Sequence, residues 1–161
     1  MFGLTASIYW EISMPVSIDF QNRIIDLIAE LNHKKSQLPQ IMNVDYRSLS
    51  NAINYGIIPK PRILIRLADF FNIPIKYLLG KSDNDYFFPA KNKSDFNSRF
   101  SELCKEKQIT YYKVSQACHF DKSYISRWIN KNYLPSLEML ELLSDYFNVS
   151  IDYLLGRSDD R

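Results

Sequence analysis

"FNIPIKYLLGKSD", Phe71 to Asp83, returns as "FNVSIDYLLGRSD", Phe147 to Asp159. Shifting the chain by 76 positions lays residues 20–83 on 96–159 without a gap, and 22 of those 64 positions are identical. That period exceeds the roughly 20–50 residues of solenoid repeats, and two copies make no stacked array. The 161 residues therefore read as a duplicated small domain rather than one larger one.

Within each copy the apolar spacing is helical, with no strand signal. Phe96, Phe100, Leu103 and Cys104 fall at i, i+4, i+7 and i+8, and Phe20, Ile24, Leu27 and Ile28 repeat that spacing. They form one face of a first helix, with Asp19 and Asp95 expected as its N-caps. A short second helix is expected over 36–42 and 111–118, with Pro39 confined to its first turn. A third follows Asp45 or Asp121 as N-cap, ends near Asn54 or Asn130, and turns Leu49 and Ile53, or Ile125 and Ile129, inward. Gly56 and Asn132 accept the left-handed backbone that turns the chain toward Pro59 and Pro135. A fourth helix begins at Pro61, or after Ser136 as N-cap, and buries Ile63, Leu64, Leu67 and Phe71, or Met139, Leu140, Leu143 and Phe147. A fifth covers Ile75–Leu79 and Ile151–Leu155, closed by Gly80 and Gly156. The expected fold is all-α, with five helices in each copy.

Other features exclude function classes. Cys104 and Cys118 have neither CxxC spacing nor a Cys/His cluster beside them, which argues against a disulfide framework and against zinc. His33 and His119 are not at ligand spacing, so no metal is expected. There is no phosphate loop, GxSxG or HExxH, so neither an enzyme nor a cofactor is expected. No stretch of eighteen apolar residues and no basic-led signal peptide is present, which reads as a cytoplasmic protein without a membrane partner.

The net charge of +2 is small, but it is unevenly placed. Thr110 to Pro135 holds Lys113, Lys122, Arg127 and Lys131 against Asp121, while Ser136 to Gly156 holds only acidic charges: Glu138, Glu141, Asp145 and Asp152. In the first copy, His33 to Arg66 carries Lys34, Lys35, Arg47, Lys60, Arg62 and Arg66 against Asp45. The second and third helices with their short turn have helix-turn-helix spacing, so the positive side falls where DNA phosphates would release counterions.

The segment "YKVSQACHFDKSYISRWINKNYLPSLEMLELLSDYFNVSIDYLLG" resembles the Cro/repressor-type helix-turn-helix family, also called Xre-like or lambda-repressor-like, especially its copies in phage repressors of low-GC bacteria. Val114-Ser115, Phe120, Ile125-Ser126, Trp128, Pro135, Leu140 and "DYFNVSIDYLLG" carry the likeness over 96–159; it extends more loosely over 20–83. The resemblance implies two tandem five-helix lambda-repressor-like DNA-binding domains, at 18–82 and 94–161, joined by a linker at 83–93 and preceded by an extension at 1–17.

It also implies that the third helix enters the major groove of double-stranded DNA. Residue by residue, the base-contacting candidates are Lys122, Ser123, Ser126 and Arg127, with Tyr46, Arg47, Ser50 and Asn51 in the first copy. Arginine pairs bidentately with guanine and asparagine with adenine. Tyr111, Lys113 and Lys131, with Lys35 in the first copy, are the phosphate candidates. The family commonly has Gly where Lys131 and Tyr55 stand, Ala where Ser115 and Pro39 stand, and often Gly at Asn43 and His119. The first copy departs further, which leaves open that it binds a protein partner or a second copy instead of DNA.

Tyr124 and Tyr133 are open to two readings, stacking on sugar or supporting the loop; Trp128 reads as packing. The linker carries Tyr86, Phe87, Phe88 and Pro89 at its centre, an apolar group expected to dock on a domain surface. About twelve extended residues would otherwise reach roughly 40 Å, enough for half-sites one helical turn apart. Residues 1–17 are apolar for a tail and read as an extension before a start at Met14, or as an arm that engages another subunit or partner. With Arg161 last, no effector or self-cleavage domain is expected. The leading expectation is a phage or mobile-element repressor reading a bipartite operator. The alternative is a protein-interaction module, an antitoxin or antirepressor.

Overall fold

A computed structural model describes residues 15–161. The first fourteen residues of the expected extension lie outside that range, and with them the arm and its partner. Among the described residues the fold is all-α, with two isolated β-bridges and no strand. Helices α1 (Ile18–Ala29), α2 (Leu38–Ile41, entered through a 3₁₀ turn at Lys35–Gln37), α3 (Tyr46–Tyr55), α4 (Pro61–Phe71) and α5 (Ile75–Leu78) come first. Then follow α6 (Phe96–Glu106), α7 (Tyr111–Ala117), α8 (Ser123–Lys131), α9 (Leu137–Phe147) and α10 (Ile151–Leu154).

The start of α1 differs from expectation. Its cap is Ser17, whose Oγ accepts the Phe20 N–H at 3.2 Å, and Asp19 sits in the first turn. The reason lies outside the helix: Val16 bridges to Ile57, the Ser17 N–H donates to the Gly56 carbonyl at 2.9 Å, and the Ile58 N–H donates to that of Pro15 at 2.8 Å. Those bonds hold the chain extended through Ser17, so the helix begins directly after it. Ser17→Ala is therefore expected to cost about 1 kcal/mol. Asp19→Ala removes only a charge favourable to the helix dipole, a few tenths of a kcal/mol; urea unfolding of the two variants checks the order. At the equivalent point Asp95 does cap α6, accepting from the Ser98 N–H at 2.8 Å.

The repeated stretch closes each set of helices in the same way. The Arg23 guanidinium of α1 lies 3.9 Å over the Tyr77 ring and 3.4 Å from Asp83; Arg99 of α6 lies 4.5 Å over Tyr153 and 2.5 Å from Asp159. Gly80 and Gly156 follow α5 and α10 at φ +70°, and a side chain at either would strike the backbone beside Asp19 or Ser94. Only glycine combines that backbone with so close an approach.

Phe20, Ile24, Leu38, Leu49, Leu64, Leu67, Ile75 and Leu78 are buried in the first set. Phe96, Phe100, Val114, Ile125, Leu140, Leu143, Ile151 and Leu154 are their counterparts in the second. Leu27, Ile28, Ile53, Ile63, Phe71, Ile129 and Met139, read as core, are only half-buried at its margin. Cys104 and Cys118 are buried free thiols, and burial pushes Cys104 up to about 11, so it packs as a small hydrophobe.

The two sets meet at α5 and α10, and this joint is asymmetric. α5 has Pro74 at its N-cap, which offers no side-chain oxygen; the Asp152 carboxylate of α10 takes its place, accepting the Ile75 N–H at 3.0 Å. Arg157 pairs with Asp152, donates from Nε to Asp69 at 2.7 Å and from Nη2 to the Ile73 carbonyl at 3.1 Å. Lys81 pairs with Glu141. The linker is held to the same end: the Arg157 guanidinium lies 4.4 Å over Phe87, the Ala90 N–H donates to the Arg157 carbonyl at 2.8 Å, and Ser158 Oγ donates to that of Phe88 at 2.9 Å. Of its aromatic centre only Phe87 docks; Tyr86 and Phe88 stay exposed. No helix among the described residues is long and apolar enough to cross a membrane. No group of three or more His, Cys, Asp or Glu among them is placed to hold a metal.

Candidate nucleic-acid interface

Two short helices with a left-handed turn between them recur in both sets. α2 leads through Asn43 (φ 53°) into α3, and α7 leads through His119 (φ 56°) into α8. Both turn residues adopt the backbone that glycine would adopt most easily. Asp45 caps α3 by accepting the Ser48 N–H at 2.8 Å. Asp121 accepts the Ser123 N–H at 2.7 Å, and α8 starts one residue later than expected, with Lys122 as a helical-backbone cap residue. Hydrogen bonds from Ser48 and Ser123 hold both carboxyls below the usual carboxylate range. A lowered folded-state pKa means that this capping is fully present above the ordinary carboxylate value and is lost as the pH falls through the lowered one.

The inward side of each third helix is fixed by packing. Leu49 and Ala52 are buried in α3, and Ile125 and Trp128 in α8. Trp128, 3% exposed, meets Phe96 and Phe100 edge-on and tilts against Phe120, so it is a core residue. Helical geometry then dictates what faces out. Lys122, Ser123, Ser126 and Arg127 are all exposed; in the first set Tyr46 and Arg47 are exposed and Ser50 and Asn51 half-buried.

Several outward groups are already positioned. Ser50 Oγ accepts from Asn54 Nδ2 at 3.0 Å, and Ser126 Oγ accepts from Asn130 Nδ2 at 3.0 Å, so each hydroxyl retains its proton to donate outward. The Arg127 guanidinium lies 5.6 Å over the Tyr124 ring, within cation–π range. Tyr124, Arg127 and Tyr133 are among the residues lining a pocket of 230 Å³ beside α8.

Among the phosphate candidates, Lys35, Lys113 and Lys131 are exposed. Lys131 also ends α8, where a cation favours the helix dipole. Tyr111 is more committed: its ring stacks on Phe100 at 5.3 Å and its hydroxyl lies 3.0 Å from Ser101 Oγ, leaving it 39% exposed. Arg66, one of the six counted cations of the first copy, donates to the Asn43 carbonyl at 2.9 Å and so holds the turn. The residues that join the two sets went unread. Their signal was present in the repeat itself, where Lys76 and Lys81 become Asp152 and Arg157.

Residues 101–154, from within α6 to the end of α10, match the family model described as Helix-turn-helix. A stretch of 62 residues is 30% identical to the HTH-type transcriptional activator BcrR of Enterococcus faecalis. It covers 38% of this chain and 30% of that protein, so the chain spans under a third of the relative's length. No solved structure matches the chain. The matched residues include α7, the turn at His119 and α8.

Proposed function

We propose that this protein is a sequence-specific DNA-binding regulator of transcription, of phage or mobile-element type, in which two linked helix-turn-helix units read a bipartite operator. Repression would follow from occupancy of a site that overlaps a promoter. One observation carries the reading: in a segment that matches a helix-turn-helix family, α8 turns Lys122, Ser123, Ser126 and Arg127 to solvent while its opposite side is locked into the core. The relative's name, a transcriptional activator, supports regulation of transcription and leaves its sign to the position of the operator.

The roles divide as the chemistry does. Arg127 would pair with guanine, and the Ser126 hydroxyl would donate to a base edge. Lys113 and Lys131 would contact phosphates and set register without reading sequence. Lys113→Ala is accordingly expected to weaken binding to all sequences alike and to lower the slope of log K against log salt by about one. Fluorescence anisotropy on several duplexes over a salt series measures both. Selection from a random DNA pool tests the reading as a whole: recovery of a defined motif supports it, and equal binding to every sequence at moderate salt removes it.

A further inference from the structure

The two reading helices share a frame but not a set of reading groups. Ser50 and Ser126 stand at equivalent positions, each held by an asparagine four residues on. Around them the pairs are Tyr46 and Lys122, Arg47 and Ser123, Asn51 and Arg127. Arginine stands in the first turn of α3 and, four residues further along, in the second turn of α8. Four residues are about 6 Å of helix, nearly two base-pair steps, so a guanine would be met at a different place in each half. At the shared Asn51 and Arg127 position, only α3 offers a carboxamide suited to adenine.

The joint is unlike on its two sides as well. Asp152 supplies the cap that Pro74 cannot, and Arg157 binds Asp69 and the Ile73 carbonyl. The counterparts of Asp152 and Arg157 are Lys76 and Lys81. A pair of two first sets would put Lys76 where Asp152 is needed, and a two-fold interface must be self-complementary. The unlike sets therefore pair with each other inside one chain. Every hydrogen bond and ion pair joining the two sets, among the described residues, comes from α4, the turn at Ile73, α5, α9, α10 or the segments just after α5 and α10, which leaves α3 and α8 free of it.

We infer, on the reading that both units contact DNA, that the target is a duplex of two unlike halves in fixed order and at one spacing, without the two-fold symmetry of a dimer's operator. A symmetric reader calls for a palindrome because the same helix meets each half-site; here the helices differ.

Selection with the full chain from a random duplex pool, followed by binding to edited versions of the recovered site, tests this. The expected motif is asymmetric, and converting either half into an inverted copy of the other weakens binding about tenfold or more. Arg127→Ala relaxes base preference in one half only, and Arg47→Ala in the other only. A palindrome overturns the inference while DNA reading stands. So does a single-half motif on which Arg47→Ala has no effect. Loss of all sequence preference overturns the DNA reading itself, and the inference with it.

Discussion

Replacing Arg157 with alanine is expected to destabilise the protein by about 3–5 kcal/mol, because it strands a buried carboxylate. The guanidinium is the hub of the joint, with Asp152, Asp69, the Ile73 carbonyl and the Phe87 face as its partners. Asp152 is only 5% exposed, and burial pushes its carboxyl above the usual range even though Arg157 and the Ile75 N–H pull it down. Without the arginine, desolvation acts with less opposition, and the carboxyl either takes up a proton or draws water into the joint. Removing both partners should cost less than the sum of the single changes, since the second then leaves no orphan charge. A double-mutant cycle of Arg157→Ala with Asp152→Asn, followed by urea unfolding, is expected to give a coupling of about 1 kcal/mol or more. A cost below 1 kcal/mol for Arg157→Ala would show that the joint contributes little. Under the bipartite reading the same variant should also bind operators whose half-site spacing the parent rejects.

The second large effect separates two neighbouring residues. Trp128→Ala should cost about 3–5 kcal/mol in unfolding free energy, the range for emptying a large aromatic site. Its ring centroid lies 5.7 Å from that of Phe96, 6.1 Å from Phe100 and 5.4 Å from Phe120, so the cavity would open at the seat of α8. Arg127→Ala, one position away and exposed, should stay within about 0.5 kcal/mol of parental stability. Its expected effect is on DNA, about 1–3 kcal/mol at one base pair of the selected site. Urea unfolding and duplex titration of both variants test this together. A stable Trp128→Ala protein, or an Arg127→Ala protein with unchanged base preference, would contradict the assignment of inner and outer faces.

Much of the architecture was legible because it is local. The i, i+4 spacing of Phe20 and Ile24, the caps at Asp45, Asp95 and Ser136, and the turns at Gly56 and Asn132 each depend on residues a few positions apart. The outward set on α8 is what the family resemblance implies, and it lies on the side away from the expected inward pair Ile125 and Ile129. What escaped depends on distant partners. Ser17 and Asp19 are both good caps, and the choice was made by a bridge from Val16 to Ile57. The role of Asp152 depends on Ile75, 77 residues away, and apolar periodicity carries no trace of a charged pair buried between two helix sets. Phe87 could not be told from Tyr86 and Phe88 by composition, because what selects it is the guanidinium it meets.

The most direct test is to follow backbone amide resonances of the full chain as its selected duplex is added. The largest shifts are expected in Lys122–Lys131 and Tyr46–Tyr55, with α9 and α10 little changed. Shifts centred on the acidic residues of α9, Glu138, Glu141 and Asp145, with α3 and α8 unmoved, would contradict the account.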